Sequence, residues 1–209
     1  MTEAWAGWVN PAPVGVSNSL PPHGGNLSQE ARRLGMKPSQ LLDASASLVP
    51  FRPPRALRRA LAVAIQGQAL RDYPDRAQAD FRSAIASWHG LDPDQVLGGN
   101  GAAELFTWAA RDATAAGLNA LPQPGFADYS RALACWGGAI EQLPLPLEWG
   151  DGWPQPFPLG ALTETSDVVW ITNPHNPTGQ LWSRCSLEPL LARFALVICD
   201  EAFLPLVPG

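Results

Sequence analysis

An α/β fold, a mostly parallel sheet with helices on both faces, is what this sequence predicts. Three observations carry that expectation. Short apolar runs recur at residues 118–121, 140–143, 168–172 and 195–199. Stretches with apolar residues three or four apart stand between or before them, as in 102–116 and 187–194. Polar turns bearing Gly or Asn-Pro follow several of the runs. Strands buried on both faces read as continuous apolar runs, and their alternation with helices implies crossover connections over a parallel sheet.

The elements follow in order. Residues 28–35 read as a short helix with Ser or Asn at its start and Gly35 at its end. A bend follows at Lys37-Pro38, and then the small-residue loop Ala44-Ser45-Ala46-Ser47 before Pro50, Pro53 and Pro54 break regular structure. Leu57, Leu61, Ala64 and Ile65 give an amphipathic helix over 55–66, and Phe81, Ile85 and Trp88 another over 79–88. A strand over 95–97, a glycine turn Gly98-Gly99-Asn100-Gly101 and a helix over 102–116 make the first α/β unit. A helix over 126–136, the run 140–143, a long surface connection over 144–158, the strand 168–172, a helix over 187–194 and the strand 195–199 complete the pattern.

Composition narrows the chemistry. The chain has 209 residues, 46% apolar and 16% charged, with a net charge of -5 and a single lysine, Lys37. A negative chain without a basic run lacks the electrostatic footprint for nucleic acid, so a small-molecule substrate is expected. No stretch approaches the roughly 18 unbroken apolar residues of a membrane span, and the start is not that of a secretory signal. The three cysteines, Cys135, Cys185 and Cys199, are widely spaced without metal-ligand companions; reduced thiols in a cytoplasmic protein, with no metal site, are the expectation.

Ligands of open parallel sheets collect at the carboxyl ends of strands. Three places there hold polar residues. In Gly99-Asn100-Gly101-Ala102-Ala103-Glu104 a glycine turn opens a helix whose first amides could hold an anion, although the same turn serves a purely structural purpose as well. Asn173-Pro174-His175-Asn176-Pro177-Thr178-Gly179 sets two Asn-Pro pairs after a strand, fixing a loop that can offer a side-chain amide. Asp200-Glu201-Ala202-Phe203 ends the last strand with a carboxylate, either a solvent-facing charge or a partner for a cation.

Taken together, in this order, the three match the phosphate, the phenolic oxygen and the ring nitrogen of a phosphorylated pyridine. Here the sequence resembles the aspartate-aminotransferase fold type of pyridoxal-phosphate enzymes, in the histidinol-phosphate aminotransferase branch, from about residue 23 onward. The resemblance implies an incomplete aminotransferase-like large domain and pyridoxal 5'-phosphate as cofactor. It implies that Gly101, Ala102 and Ala103 hold the phosphate, that Asn176 bonds the ring's 3'-oxygen and that Asp200 pairs with its nitrogen. Phe126, in Pro124-Gly125-Phe126, stands where such enzymes stack an aromatic on the ring, and otherwise reads as core. Tyr73 matches the tyrosine that reaches a neighbouring subunit's phosphate, which implies a homodimer.

The start His23-Gly24-Gly25-Asn26, with the loop 42–47, is similar to the threonine-phosphate decarboxylases of cobalamin synthesis. By that likeness His23 and Ser47 bind the substrate phosphate; as isolated residues they read as a surface histidine and a loop serine. Ala44 stands where an aromatic is common, Ser47 and Val49 where asparagines stand, and Phe203 where a tyrosine is usual. The proline-rich stretch 1–22, with Trp5 and Trp8, reads as a flexible lead-in, and the likeness divides the rest into an arm and substrate loop (23–53) and a partial cofactor-binding domain (54–209). Three readings follow: a decarboxylase of threonine phosphate, an aminotransferase of the histidinol-phosphate type, or the front part of such an enzyme without turnover. The Schiff-base lysine expected some tens of residues beyond Asp200 is not in the sequence, which leaves activity of these residues open.

Overall fold

The structure is a computed structural model that describes residues 24–49, 51–147, 150, 152–158 and 165–208. The lead-in expected over 1–22 and the candidate His23 lie outside the described residues. By contacts the chain divides into two units, Met1–Asp72 and Tyr73–Gly209.

In the first unit, α1 (Leu27–Leu34) starts where the Asn26 side chain accepts from the Gln29 amide at 3.1 Å, and ends at Gly35 in the left-handed region. Both ends are as the sequence predicts, each cap satisfying backbone groups that a helix end leaves open. The glycines before α1 meet the small-residue loop. The Gly25 amide donates to Ser45 Oγ at 2.9 Å, and a side chain at Gly24 would overlap the Ser45 carbonyl, so these two segments fit only because glycine stands there. Helix α2 (Arg55–Gln66) has the predicted bounds and no buried residue; Leu61 and Ile65 on its apolar stripe are 53% and 63% exposed.

The second unit holds a four-stranded parallel sheet in the order β2-β1-β3-β4, from β1 (Asn119–Gln123), β2 (Ile140–Pro144), β3 (Val168–Thr172) and β4 (Leu196–Asp200). The two-residue period of the strands splits the core in two. Leu121, Val168 and Trp170 pack with Phe106, Ala110 and Ala113 of α4 (Ala102–Ala116) and with Tyr129 and Leu133 of α5 (Asp128–Ala134). On the opposite face Ala120, Val169 and Ile171 pack with Phe157, Trp182, Leu190 and Phe194. Both faces are therefore covered, as expected of buried parallel strands.

The connection from β1 to β2 carries α5 and moves one way across the sheet. The connection from β3 to β4 carries two single-turn helices, α6 (Arg184–Leu187) and α7 (Leu190–Arg193), and moves the other way. Opposite steps with one handedness put the helices on opposite faces and leave a switch point between β1 and β3. The residues that follow these two strands, from Pro124 and from Asn173, are thereby placed at the crevice where such sheets take ligands.

Four sequence expectations need correction. Residues 95–97 form no strand: Asp92 caps a short 3-10 turn at Pro93–Gln95, and the following residues run extended without a ladder partner among the described residues, with Leu97 69% exposed. The helix expected over 126–136 is shorter, because Pro124 and Gly125 hold its approach open and Gly137 and Gly138 end it. The helix expected over 187–194 is cut in two at Glu188-Pro189, where proline supplies no amide to continue it. The 144–158 connection is not simply surface, since Leu145 and Phe157 are buried and Gln155 bridges to Trp182.

Candidate functional site

Helix α4 begins at Gly101, whose φ of 79° lies in the left-handed region that glycine enters without strain, and no side-chain cap closes that end. The amides of Ala102 and Ala103 have no acceptor among the described residues, and both residues are exposed. Unpaired amides at the positive end of a 15-residue helix favour an anion. Just before them Glu104 Oε2 accepts from the Asn100 amide at 2.6 Å, which holds the Glu104 carboxyl below its ordinary range. A cleft of about 500 Å³ opens beside this turn, lined among others by Asp75, Asp80, Phe81 and Glu104. Its carboxylates disfavour a phosphate in that cleft, and Ala102 and Ala103 are not in its lining.

Helix α5 joins this turn to the sheet. Arg131 Nη2 donates to the Ala103 carbonyl at 3.0 Å, and the Arg131 guanidinium pairs with Asp128 one turn earlier. Phe126 is half-buried and meets Phe106 of α4 edge-on, ring centroids 6.2 Å apart, and Tyr129 at 5.6 Å. Tyr129, 4% exposed, places its hydroxyl 2.7 Å from both Asp200 Oδ2 and Thr172 Oγ1. Burial pushes the Tyr129 phenol far above its ordinary value, so it stays protonated and donates.

Asp200 ends β4 beside Thr172 of β3, and its main-chain oxygen accepts from the Asn173 amide at 2.8 Å. The carboxylate is half-buried; Oδ1 takes the Ala202 amide at 3.0 Å, and no basic side chain pairs with it among the described residues. A partly desolvated carboxylate with two neutral donors and no cation is suited to receive a cationic ligand.

The loop after β3 is held by its own polar groups. Asn173 Oδ1 accepts from the Trp182 amide at 2.8 Å, the His175 amide donates to the Gln180 carbonyl at 2.7 Å, and the Gly179 amide donates to the His175 carbonyl at 2.7 Å. His175 Nδ1 lies 2.7 Å from Thr178 Oγ1, whose proton goes to Gln180 Oε1 at 2.8 Å, so the imidazole Nδ1 is the donor of that pair. Asn176, at the tip, is half-buried, and its amide has no hydrogen-bond partner among the described residues.

Ala103, Phe126 and Asp200 thus lie on one connected set of contacts at the carboxyl end of the sheet, and Asn176 is on the loop that leaves the same end. Tyr73, on the connection before α3 (Ala79–His89), is 99% exposed and bonds none of them. Ser47 is exposed in the first unit. Sequence reasoning passed over Tyr129 and Thr172. The signals were a tyrosine three residues after Phe126, on the same side of the approaching helix turn, and a threonine in register with Asp200.

The aminotransferase class I and II family model matches residues 39–209. The chain belongs to that family. It is 36% identical over 196 residues to a threonine-phosphate decarboxylase of Salmonella typhimurium, covering 89% of this chain and 51% of that protein. It is 32% identical over 190 residues to a histidinol-phosphate aminotransferase of Natronomonas pharaonis, covering 86% of this chain and 51% of that one. Among solved structures, the N-succinyldiaminopimelate aminotransferase of Mycobacterium tuberculosis superposes with a TM-score of 0.68 at 27% identity, over 84% of this chain and 48% of that one. The chain therefore spans about half the length of the relatives it matches. The α/β fold with a parallel sheet, expected from the sequence, is the fold of that family's large domain.

Proposed function

We propose that these residues form the cofactor-binding part of a pyridoxal-phosphate enzyme that acts on a small phosphorylated amino acid, of the threonine-phosphate decarboxylase type. One observation carries the reading: Asp200 is a half-buried carboxylate at a strand end, held by Tyr129 and Ala202, with no cation beside it among the described residues. The residues present fit the cofactor in kind: free helix amides for a phosphate, an unbonded side-chain amide, an aromatic ring and an unpaired carboxylate.

When bound, pyridoxal phosphate supplies a cationic ring that accepts the electron pair left as a bond to the substrate's α-carbon breaks. The protein's part is to hold and tune. The amides of Ala102 and Ala103 take the phosphate at the α4 end, and Gly101 lets the backbone enter that turn without a side chain. Phe126 would supply an aromatic contact to the ring, Asn176 would donate to its oxygen, and Asp200 would keep the proton on its nitrogen. His23 and Ser47 are assigned to the substrate phosphate, and Tyr73 to the site of a second copy in a homodimer.

The 36% identity to a threonine-phosphate decarboxylase and the His23-Gly24-Gly25-Asn26 start favour the decarboxylase. A second reading, an aminotransferase of histidinol phosphate, draws on the 32% identity to such an enzyme. The family's Schiff-base lysine is not among these residues, so binding is the property to measure. Titration with pyridoxamine 5'-phosphate should give saturable binding that D200N weakens at least tenfold. Threonine phosphate and histidinol phosphate are then added to the chain loaded instead with pyridoxal 5'-phosphate, whose aldehyde can condense with either amine: preference for the first supports the decarboxylase, preference for the second the aminotransferase, and binding of neither overturns both substrate readings. A chain that binds no pyridoxamine 5'-phosphate overturns the cofactor reading itself.

A further inference from the structure

The polar network beneath Asp200 has an order that follows from counting protons. Tyr129 Oη lies 2.7 Å from Asp200 Oδ2 and 2.7 Å from Thr172 Oγ1, and it carries one hydrogen. An ionised carboxylate only accepts, so that hydrogen points to Asp200 and the Thr172 hydroxyl donates in turn to the tyrosine oxygen. The other carboxylate oxygen takes the Ala202 amide at 3.0 Å. One donor on each oxygen fixes the plane of the carboxylate and leaves each oxygen a further lone pair.

The tyrosine ring is itself packed on three sides. It is 4% exposed and packs against Phe106 edge-on at 5.1 Å, Phe126 at 5.6 Å and Trp170 at 5.2 Å. A hydroxyl on such a ring cannot follow the carboxylate if the latter turns, so the carboxylate conforms to it. The two-step chain from Thr172 strengthens the donor, since a hydroxyl that accepts a bond donates a better one.

We propose that Tyr129, backed by Thr172, is a positioning residue that holds the Asp200 carboxylate ionised and oriented toward the ring nitrogen of the bound cofactor. This rests on Asp200 being that nitrogen's partner. The same tyrosine, near the start of α5, contacts both Phe126, which precedes that helix, and the carboxylate. Tyr129 touches no reacting atom; it acts through Asp200.

The test is a pH titration of Asp200 by carboxyl carbon NMR in the 209-residue chain, repeated with pyridoxamine 5'-phosphate labelled with nitrogen-15 at the ring. Other groups near the network titrate too: Cys199 on β4 and Glu201 just after it, Asp128 paired to Arg131 on α5, Glu104 on α4 and His175 on the loop after β3. All are unchanged between the wild type and the variants, so the difference between titrations reports the network. Y129F keeps the ring and removes the donor; it should raise the Asp200 midpoint. T172V keeps Tyr129 and should raise it by less. With the ligand bound, the pH above which the ring nitrogen loses its proton should fall, more in Y129F than in T172V. A Y129F chain that loses its fold, judged by circular dichroism, leaves T172V as the deciding variant.

Midpoints that do not move in the folded variants overturn the proposal. A ring nitrogen indifferent to D200N overturns the reading of Asp200 itself, and the proposal with it. Asp200 midpoints that move while the ring nitrogen responds to D200N but not to Y129F or T172V also overturn it, because the coupling then stops at the carboxylate.

Discussion

Arg131 Nη2 donates to the carbonyl oxygen of Ala103 across 28 residues of sequence, at 3.0 Å, and so fastens α5 to the open end of α4. The same guanidinium pairs with Asp128, whose side chain is only 11% exposed. Removing the arginine strands a nearly buried carboxylate and frees the turn at Ala102-Ala103. R131A should therefore lower the melting temperature, and the double variant R131A/D128N should recover part of the loss, because a neutral amide tolerates that site without a cation. Thermal melts of the three chains decide this. A double variant less stable than R131A would show that Asp128 is held by something other than this pair.

Trp170 is the centre of the sheet face that packs on α4 and α5. It is 1% exposed, and its Nε1 donates to Asn119 Oδ1 at 3.0 Å, a side chain with no exposure at all. W170F removes the donor and part of the ring together, leaving Asn119 short of a bond and a small void. The loss of stability should be about 2–4 kcal/mol, from an unsatisfied buried acceptor and the missing volume. Denaturant unfolding measures it, and N119A on the W170F background should cost less than N119A alone, since the acceptor has already lost its partner.

Much of this architecture was legible in the residues. Helices α2 and α4 and strand β3 have the bounds that periodicity and apolar runs predict: the helices follow Pro54 and Gly101, and the apolar run of the strand is set between Asp167 and Asn173. The 95–97 run misled because three apolar-leaning residues make a strand only if a neighbour offers a ladder, and that depends on distant chain. Pro189 was visible in the sequence; its effect was masked by apolar spacing that continues on both sides of it. Of the site, strand ends and the glycine turn were readable as positions. Tyr129 was not, since its partners Thr172 and Asp200 lie 43 and 71 residues away and only the sheet order β1-β3-β4 brings them under α5.

His175 makes the loop after β3 sensitive to acid. It is 4% exposed, and burial holds its pKa below the ordinary 6.5, favouring the neutral ring that donates through Nδ1 to Thr178. In the unfolded chain the same imidazole takes a proton at about its ordinary value. Its contribution to stability is therefore fully present above pH 6.5 and is lost as pH falls from there through the folded value. Melts from pH 8 to pH 5 should show a decline that begins near 6.5 and is shallower in H175Q. An equal slope in the two proteins would assign the decline to other groups.

Gly101 separates the cost of a backbone shape from the loss of a binding site. Its φ of 79° is open to glycine and strained for other residues, yet a side chain there would meet nothing within 4 Å. G101A should thus cost about 1–2 kcal/mol from the backbone alone, with no clash to relieve. G101N should cost as much, since with ψ at 171° the turn lies outside the left-handed α basin that asparagine enters. If the amides of Ala102 and Ala103 hold a phosphate, G101A should also weaken binding of pyridoxamine 5'-phosphate more than it weakens binding of pyridoxamine, which has no phosphate to lose. Equal weakening of both ligands would place the phosphate elsewhere, because a turn that matters only for the fold cannot tell the two apart.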